Sequence, residues 1–269
     1  MKENRFHGKI RKKEREVDLM QEGKIIQSVA KAMRLLDLVA SSNRPMTLAE
    51  ISAQTGWPKS TVHGLLSTMR EFSTVAQDEE GRYMLGIRLF EYGCTLSNSW
   101  TIIETAKPFI QHISYETGEA VFLSILDRGE VITLDRADNR TGLHTAAEMG
   151  CRLPVHCTSQ GKLFLAYMPE HERKSILGRT ELKAYTPLTI TTPEALQKEL
   201  LKIRAQGYAI ENGEYKTGLR SVSAPIFDKN GTVPYAIGII GMFRQIESEQ
   251  FSRATSVVLE TAKKISQVL

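Results

Sequence analysis

Residues 47–72 read TLAEISAQTGWPKSTVHGLLSTMREF, and few stretches restrict a fold so tightly. Thr47 is an N-cap type, and Glu50 three residues later completes a capping box, so a helix starts here. Gly56 stops it after about two turns. Pro58 suits the first turn of a second helix, with Ser60 as an alternative cap. In that second helix Val62, Leu65, Leu66 and Met69 fall at i, i+3, i+4 and i+7, which makes one buried stripe. Two helices this short and this close must pack against each other and against a third element. Upstream, Val29, Met33 and Leu36 recur at helical spacing beside Ala32, Leu35 and Val39, until SSNRP (residues 41–45) breaks the pattern. Downstream, VAQDEEGRYML (residues 75–85) reads as two short strands around Asp78–Gly81. Helix, short helix, tight turn, helix, hairpin is the order of a winged helix-turn-helix, predicted here over residues 25–88.

The face opposite the stripe carries Ser60, Thr61, His63, Gly64, Ser67 and Thr68, small polar residues without an acid among them. In a winged helix-turn-helix this face enters the major groove of double-stranded DNA. Lys59, Ser60, Thr61, His63, Gly64 and Ser67 are the predicted contacts from this helix, with Thr47 from the preceding turn and Arg82 from the wing. The charge balance agrees. The first 88 residues carry 15 Lys and Arg against 11 Asp and Glu, while the rest is balanced at 20 against 20, so the whole net charge of +4 lies at the N-terminal end. Gly64 is the odd member, because glycine costs roughly 0.5–1 kcal/mol inside a helix relative to alanine.

Residues 1–24 are charged and poor in large apolar groups, and are expected to form a flexible basic arm. They lack the apolar core of a secretory signal, and no run approaches the roughly 18 apolar residues that cross a bilayer. Three cysteines, an odd number without a CxxC pair, point to a reduced, cytoplasmic setting. Residues 89–105 are expected to form a linker helix that helps the chain dimerise. Residues 106–269 alternate helices with hairpins: AVFLSILDRGEVITLDRA around Asp127–Glu130, a helix over TSQGKLFLAYM, a helix from Pro193 to Gln206, two strands around a Lys-Asn-Gly turn between Ser221 and Phe243, and a closing helix. Leu143–Met149 is read as a further strand. The predicted class is α+β, with a C-terminal α/β domain.

IIQSVAKAMRLLDLV, TLAEISAQTGWPKSTVHGLLSTM and GRYMLGIRLFEYG resemble the N-terminal domain of IclR-family transcriptional regulators. RLPVHCTSQGKLFLA and GYAIENGEYKTGLRSVSAPIFDKNGTVPYAIGI resemble that family's effector-binding domain. The resemblance runs from about residue 25 to the end. It implies a linker helix, a GAF-like effector domain, a homodimer or homotetramer on operator DNA, and repression modulated by a small metabolite, such as an organic acid or an aromatic catabolite. Residue by residue it implies an effector site at Thr145, Ser159, Gln160, Gly161, Glu211, Ser221, Gly238 and Ile240. A helix start at Ser159–Gly161 suits an anion. Gly238 and Ile240 stand where relatives that bind small polar acids often carry serines, so a less polar and larger ligand is expected. Two further departures concern DNA: family members commonly carry Arg at the position of Gly64, and Gly-Tyr where Ser73-Thr74 stand.

Other chemistries fit less well. GKL at residues 161–163 lacks the spacing of a phosphate-binding loop. Ser159 has no nucleophile elbow or acid–histidine partner, so no enzyme and no cofactor are expected. The alternative is a metal-binding sensor or metallo-enzyme built on His144, Cys151, His156 and Cys157, whose ligand types suit zinc although the spacing does not. On a strand, His156 and Cys157 would face opposite sides.

Overall fold

The computed structural model describes residues 25–138 and 148–269. The chain divides between Ser99 and Trp100 into two compact units.

In the first unit, α1 (Gln27–Ala40), α2 (Leu48–Thr55) and α3 (Lys59–Glu71) precede a hairpin of β1 (Val75–Gln77) and β2 (Tyr83–Leu85). The caps follow the sequence. Glu50 N–H donates to the Thr47 hydroxyl at 3.2 Å and the Thr47 N–H donates to the Glu50 carboxylate at 2.8 Å. Gly56 closes α2 at φ +70°, a conformation glycine adopts without strain. Leu35, Val39, Ile51, Val62, Leu66 and Met69 meet beneath Val75 and Tyr83 in one core. Met46 exchanges backbone bonds of 2.9 and 2.7 Å with Tyr83, which ties the hairpin to the chain before α2. The buried side of α1 is Leu35 and Val39; Val29 and Met33, on the same periodic pattern, are 57% and 55% exposed. The helix is apolar on more of its circumference than this core uses. Helix α4 (Ile87–Asn98) ends the unit and buries none of its residues.

The second unit is built on a six-stranded antiparallel sheet in the order β5-β4-β3-β8-β7-β6. Its strands are β3 (Ala120–Asp127), β4 (Glu130–Ala137), β5 (Arg152–Pro154), β6 (Ala209–Asn212), β7 (Arg220–Ile226) and β8 (Tyr235–Gly241). Helices α5 (Thr101–Thr117) and α9 (Glu249–Val268) bury their apolar stripes on one face, against Val121, Val222, Ala224, Ile237 and Ile239. Strand residues alternate between faces, so Phe122, Ser221, Ser223, Gly238 and Ile240 turn to the other side. There α6 (Ser159–Tyr167), α7 (Glu170–Leu177) and α8 (Pro193–Gln206) add a second core around Phe122, Val131, Leu163 and Leu200. The expected linker helix over 89–105 is interrupted: α4 stops at Asn98 and α5 starts at Thr101. Helix α7 has no counterpart in the sequence reading, and most of the strand expected over Leu143–Met149 lies outside the described residues. No helix among the described residues is long and apolar enough to cross a membrane.

Candidate DNA interface and ligand cavity

Helix α3 turns its stripe inward and leaves Lys59, Ser60, His63 and Gly64 exposed, with Thr61 and Ser67 half-exposed. Burial of Val62, Leu66 and Met69 therefore fixes which way the polar face points. Gly64 is not required by the fold. A Cβ built there meets nothing within 4 Å, and its φ is ordinary. The Thr68 hydroxyl donates to the Gly64 carbonyl at 3.0 Å. The other two predicted contacts are engaged within the chain. The Thr47 hydroxyl serves the capping box and donates to Glu50 at 2.9 Å. Arg82, on the wing, donates to Asp78 at 2.7 Å and to Glu80 at 2.8 Å. Asp78, Glu79 and Glu80 make that turn acidic, so the Arg82 charge is largely offset where the sequence suggests a phosphate contact. After α3, Ser73 stands at φ +55°, the left-handed region that glycine tolerates best. Gly86 packs its α-carbon onto the Ser73 carbonyl, 2.1 Å from where a Cβ would sit, and so pins that turn.

In the second unit, a cavity opens between the sheet and the N-terminus of α6. It encloses about 20 Å³ and is lined by Gln160, Glu211, Ser221 and Ile240 among others. That is room for about one water molecule. Thr158 caps α6: its hydroxyl accepts from Gly161 N–H at 3.2 Å and donates to the Pro154 carbonyl at 2.7 Å. The structure thus brings four of the predicted effector residues to one cavity and gives the others different work. Ser159 is fully buried, and its hydroxyl bonds those of Ser221 at 2.8 Å and Ser223 at 2.7 Å, which stitches α6 to β7. Gly161 lets α6 approach Val155, whose backbone lies 2.3 Å from a hypothetical Cβ. The space left by Gly238 belongs to the Phe122 ring, 2.6 Å from a hypothetical Cβ, and to the Ser223 hydroxyl at 2.4 Å. The gap at Gly238 is thus filled by its cross-strand partner. Thr145 lies outside the described residues.

The inner end of the cavity is acidic. Glu211 accepts from Tyr215 N–H at 3.1 Å and from Ser221 Oγ at 3.4 Å. Burial pushes its carboxyl up to about 7, helped by the Glu214 charge. Lys162 is 1% exposed, a position that sequence reading missed because a lysine on a helix is ordinarily solvated. It donates to Glu214 at 2.5 Å and to Glu199 at 3.5 Å. Burial also holds Glu214 above the usual carboxylate range. The segment 213–219 turns on Gly213 and Gly218, at φ +72° and +85°. Tyr215 and Lys216 from this segment line the cavity. Tyr215 packs edge-on against Tyr185 at 5.1 Å.

The metal candidates do not assemble. His156 and Cys157 sit in a bend rather than a strand, and both are buried. The His156 ring bonds the Lys183 carbonyl through Nε2 at 3.0 Å. Burial raises the Cys157 thiol to about 12, far from a thiolate ligand. Cys151 is exposed, and His144 lies outside the described residues. Among the described residues no group of three His, Cys, Asp or Glu is placed to hold a metal ion.

Comparison with known proteins gives the same division. The family description "IclR helix-turn-helix domain" matches residues 28–79, and "Bacterial transcriptional regulator IclR C-terminal" matches residues 94–267. The transcriptional repressor IclR of Escherichia coli is 32% identical over 90% of this chain and 89% of its own length. The crystal structure of the Thermotoga maritima IclR superposes with a TM-score of 0.74 at 31% identity, covering 90% of this chain and 98% of that one. The fold is also that of an IclR homologue from Microbacterium hydrocarbonoxydans crystallised with 4-hydroxybenzoate, at a TM-score of 0.79, 24% identity and coverage of 89% and 98%. A helix-turn-helix unit with an acid-free outward face, joined to a unit holding a small cavity, completes the case: the chain belongs to the IclR family of DNA-binding transcriptional regulators that respond to small-molecule effectors.

Proposed function

We propose that this regulator is a repressor rather than an enzyme, that it acts in the cytoplasm, and that it holds its operator as a homodimer or homotetramer. The observation that carries the reading is the outward face of α3, where Lys59, Ser60, Thr61, His63 and Ser67 make no side-chain bond among the described residues. Such a face has hydroxyls for base edges and phosphates and a lysine for the backbone. One recognition helix reads too few base pairs for useful selectivity, and a symmetric pair doubles the site. Exposed Ile87, Phe90, Tyr92 and Leu96 on α4 support self-association. The effector site is proposed at the cavity of Gln160, Glu211, Ser221 and Ile240. A small organic acid or aromatic catabolite there would bias the chain between operator-competent and incompetent states. That a homologue of the same fold was crystallised with 4-hydroxybenzoate supports this ligand class.

The test is a salt-titrated gel shift with the DNA upstream of the chain's own gene and a scrambled duplex. Binding that prefers the first probe and falls by roughly 0.9 log unit per neutralised phosphate for each log unit of salt is expected. Absence of binding to either duplex at low salt overturns the reading. Lys59→Ala is expected to weaken both probes alike, as a phosphate contact should; unchanged affinity for both removes Lys59 from the interface.

A further inference from the structure

A second concavity lies at the opposite end of α6 from the effector cavity. It is a groove of about 390 Å³ bordered by the C-terminus of α6, by α7 and by α8, a size that small-ligand sites commonly have. Two arginines line it, Arg173 from α7 and Arg204 from α8, and no acid does. Arg173 donates through Nη1 to the Leu165 carbonyl at 3.3 Å, and Arg204 donates through Nη1 to the Tyr167 carbonyl at 3.5 Å. Those carbonyls are among the ones a helix end leaves without an N–H. Capping α6 accounts for the presence of cations, but it leaves most of the donors on each guanidinium fork unused. In the same unit Arg152, Lys162 and Lys174 each have a carboxylate within 2.7 Å. Arg173 and Arg204 have none within ion-pair distance among the described residues. Glu170, three positions before Arg173, is held by Lys174 at 2.6 Å. The helical neighbours of Arg204 are Leu200, Leu201, Gly207 and Tyr208, without an acid among them. Two like charges therefore line one groove, and an incoming anion relieves their repulsion.

The two heads are also held in place. The Tyr167 ring lies over Arg204, with 4.5 Å from the guanidinium carbon to the ring centre, and Phe227 meets that ring edge-on at 5.6 Å. Arg173 is half-buried. Gln197 adds an amide from α8, while Met168, Leu200 and Leu201 make an apolar wall. A carboxylate fills one guanidinium fork. A phosphate monoester has oxygens for two forks and carries about −1.5 to −2 charge near neutral pH, which matches a pair of arginines. We infer that this groove is a second ligand site and that it takes a small phosphate monoester: the phosphate sits between Arg173 and Arg204, and the organic part lies along Leu200 and Leu201. The effector cavity has no part in this assignment.

Calorimetric titration of the full-length protein with phenyl phosphate and with inorganic phosphate tests it. Phenyl phosphate is expected to bind on the order of tenfold tighter than inorganic phosphate, because only the ester reaches the apolar wall. Arg173→Gln and Arg204→Gln are each expected to weaken the ester about tenfold or more, the worth of a hydrogen bond between charged groups. Arg204→Lys, which keeps the charge and loses the fork, is expected to lose most of the same affinity. Leu201→Glu sets an anion on the exposed wall and leaves both carbonyl bonds alone; it is expected to weaken the ester by about tenfold as well, and it decides the matter should the arginine variants unfold. No heat with either probe overturns the site; arginine variants that then melt lower would leave the two side chains as caps of α6 alone. Binding that survives Leu201→Glu and both glutamine variants overturns it too, by placing the phosphate elsewhere. Inorganic phosphate that binds as tightly as the ester overturns the ester class. Operator affinity lost in the arginine variants, with no heat from the probes, assigns the charges to duplex DNA instead.

Discussion

Glycines carry much of the information at the scale of single residues, and they do not all carry the same kind. Gly161 and Gly238 are demanded by neighbours on other elements, Val155 and Phe122. Their importance is visible in the sequence, but not their reason, because close approach is a property of register and packing rather than of local spacing. Gly64 is the opposite case: nothing in the folded unit asks for it. Gly64→Ala is therefore expected to stabilise the protein by roughly 0.5–1 kcal/mol, read as a rise in the urea midpoint at unchanged slope. Ser73 holds a left-handed φ of +55°. Ser73→Gly should stabilise the protein by about 1 kcal/mol, again read as a higher urea midpoint, since the non-glycine cost in that region is about 1–2 kcal/mol; a fall would show that the serine makes a compensating contact.

Among the elements, those with local chemistry are the legible ones. The capping box of α2, its glycine stop and the proline start of α8 can be read because each is decided within a few residues. Helix α7 cannot, since EHERKSIL buries nothing and so shows no stripe. The three-residue β5 and four-residue β6 are likewise too short to leave a period. For the cavity, its helix and strand residues are indicated by resemblance, while Lys162, Glu199 and Glu214 are not, because a buried ion cluster is assembled from three separate segments. Helix α4 raises a different question, since Phe90 and Leu96 are 68% and 54% exposed. Phe90→Glu with Leu96→Glu is expected to shift the protein toward monomer in sedimentation at micromolar concentration and to weaken operator binding with it. Unchanged mass would place the self-association elsewhere.

The whole molecule is asymmetric in charge in a way the described parts alone do not reveal. Residues 1–24 carry eight Lys and Arg against five Asp and Glu, whereas residues 25–88 carry seven against six. With Arg82 offset by Asp78 and Glu80, the winged unit by itself has little net attraction for a polyanion. Removal of residues 1–24 is accordingly expected to flatten the salt dependence of operator binding, by roughly 0.9 for each phosphate that the arm neutralises, while the preference for operator over scrambled duplex persists. An unchanged slope would assign the phosphate contacts to α3 and the wing.

The tight cavity also sets the terms of signalling. A ligand moves an equilibrium only by the difference in its affinity for the two states. A binding site standing open would give tighter capture and no message, because the occupied and empty chains would have the same shape. One with space for a single water molecule has to widen before any ligand enters, and that work falls on the ligand. That work lowers apparent affinity, and it makes occupancy something the rest of the chain can register. Variants that enlarge the cavity should become better receptacles and poorer switches.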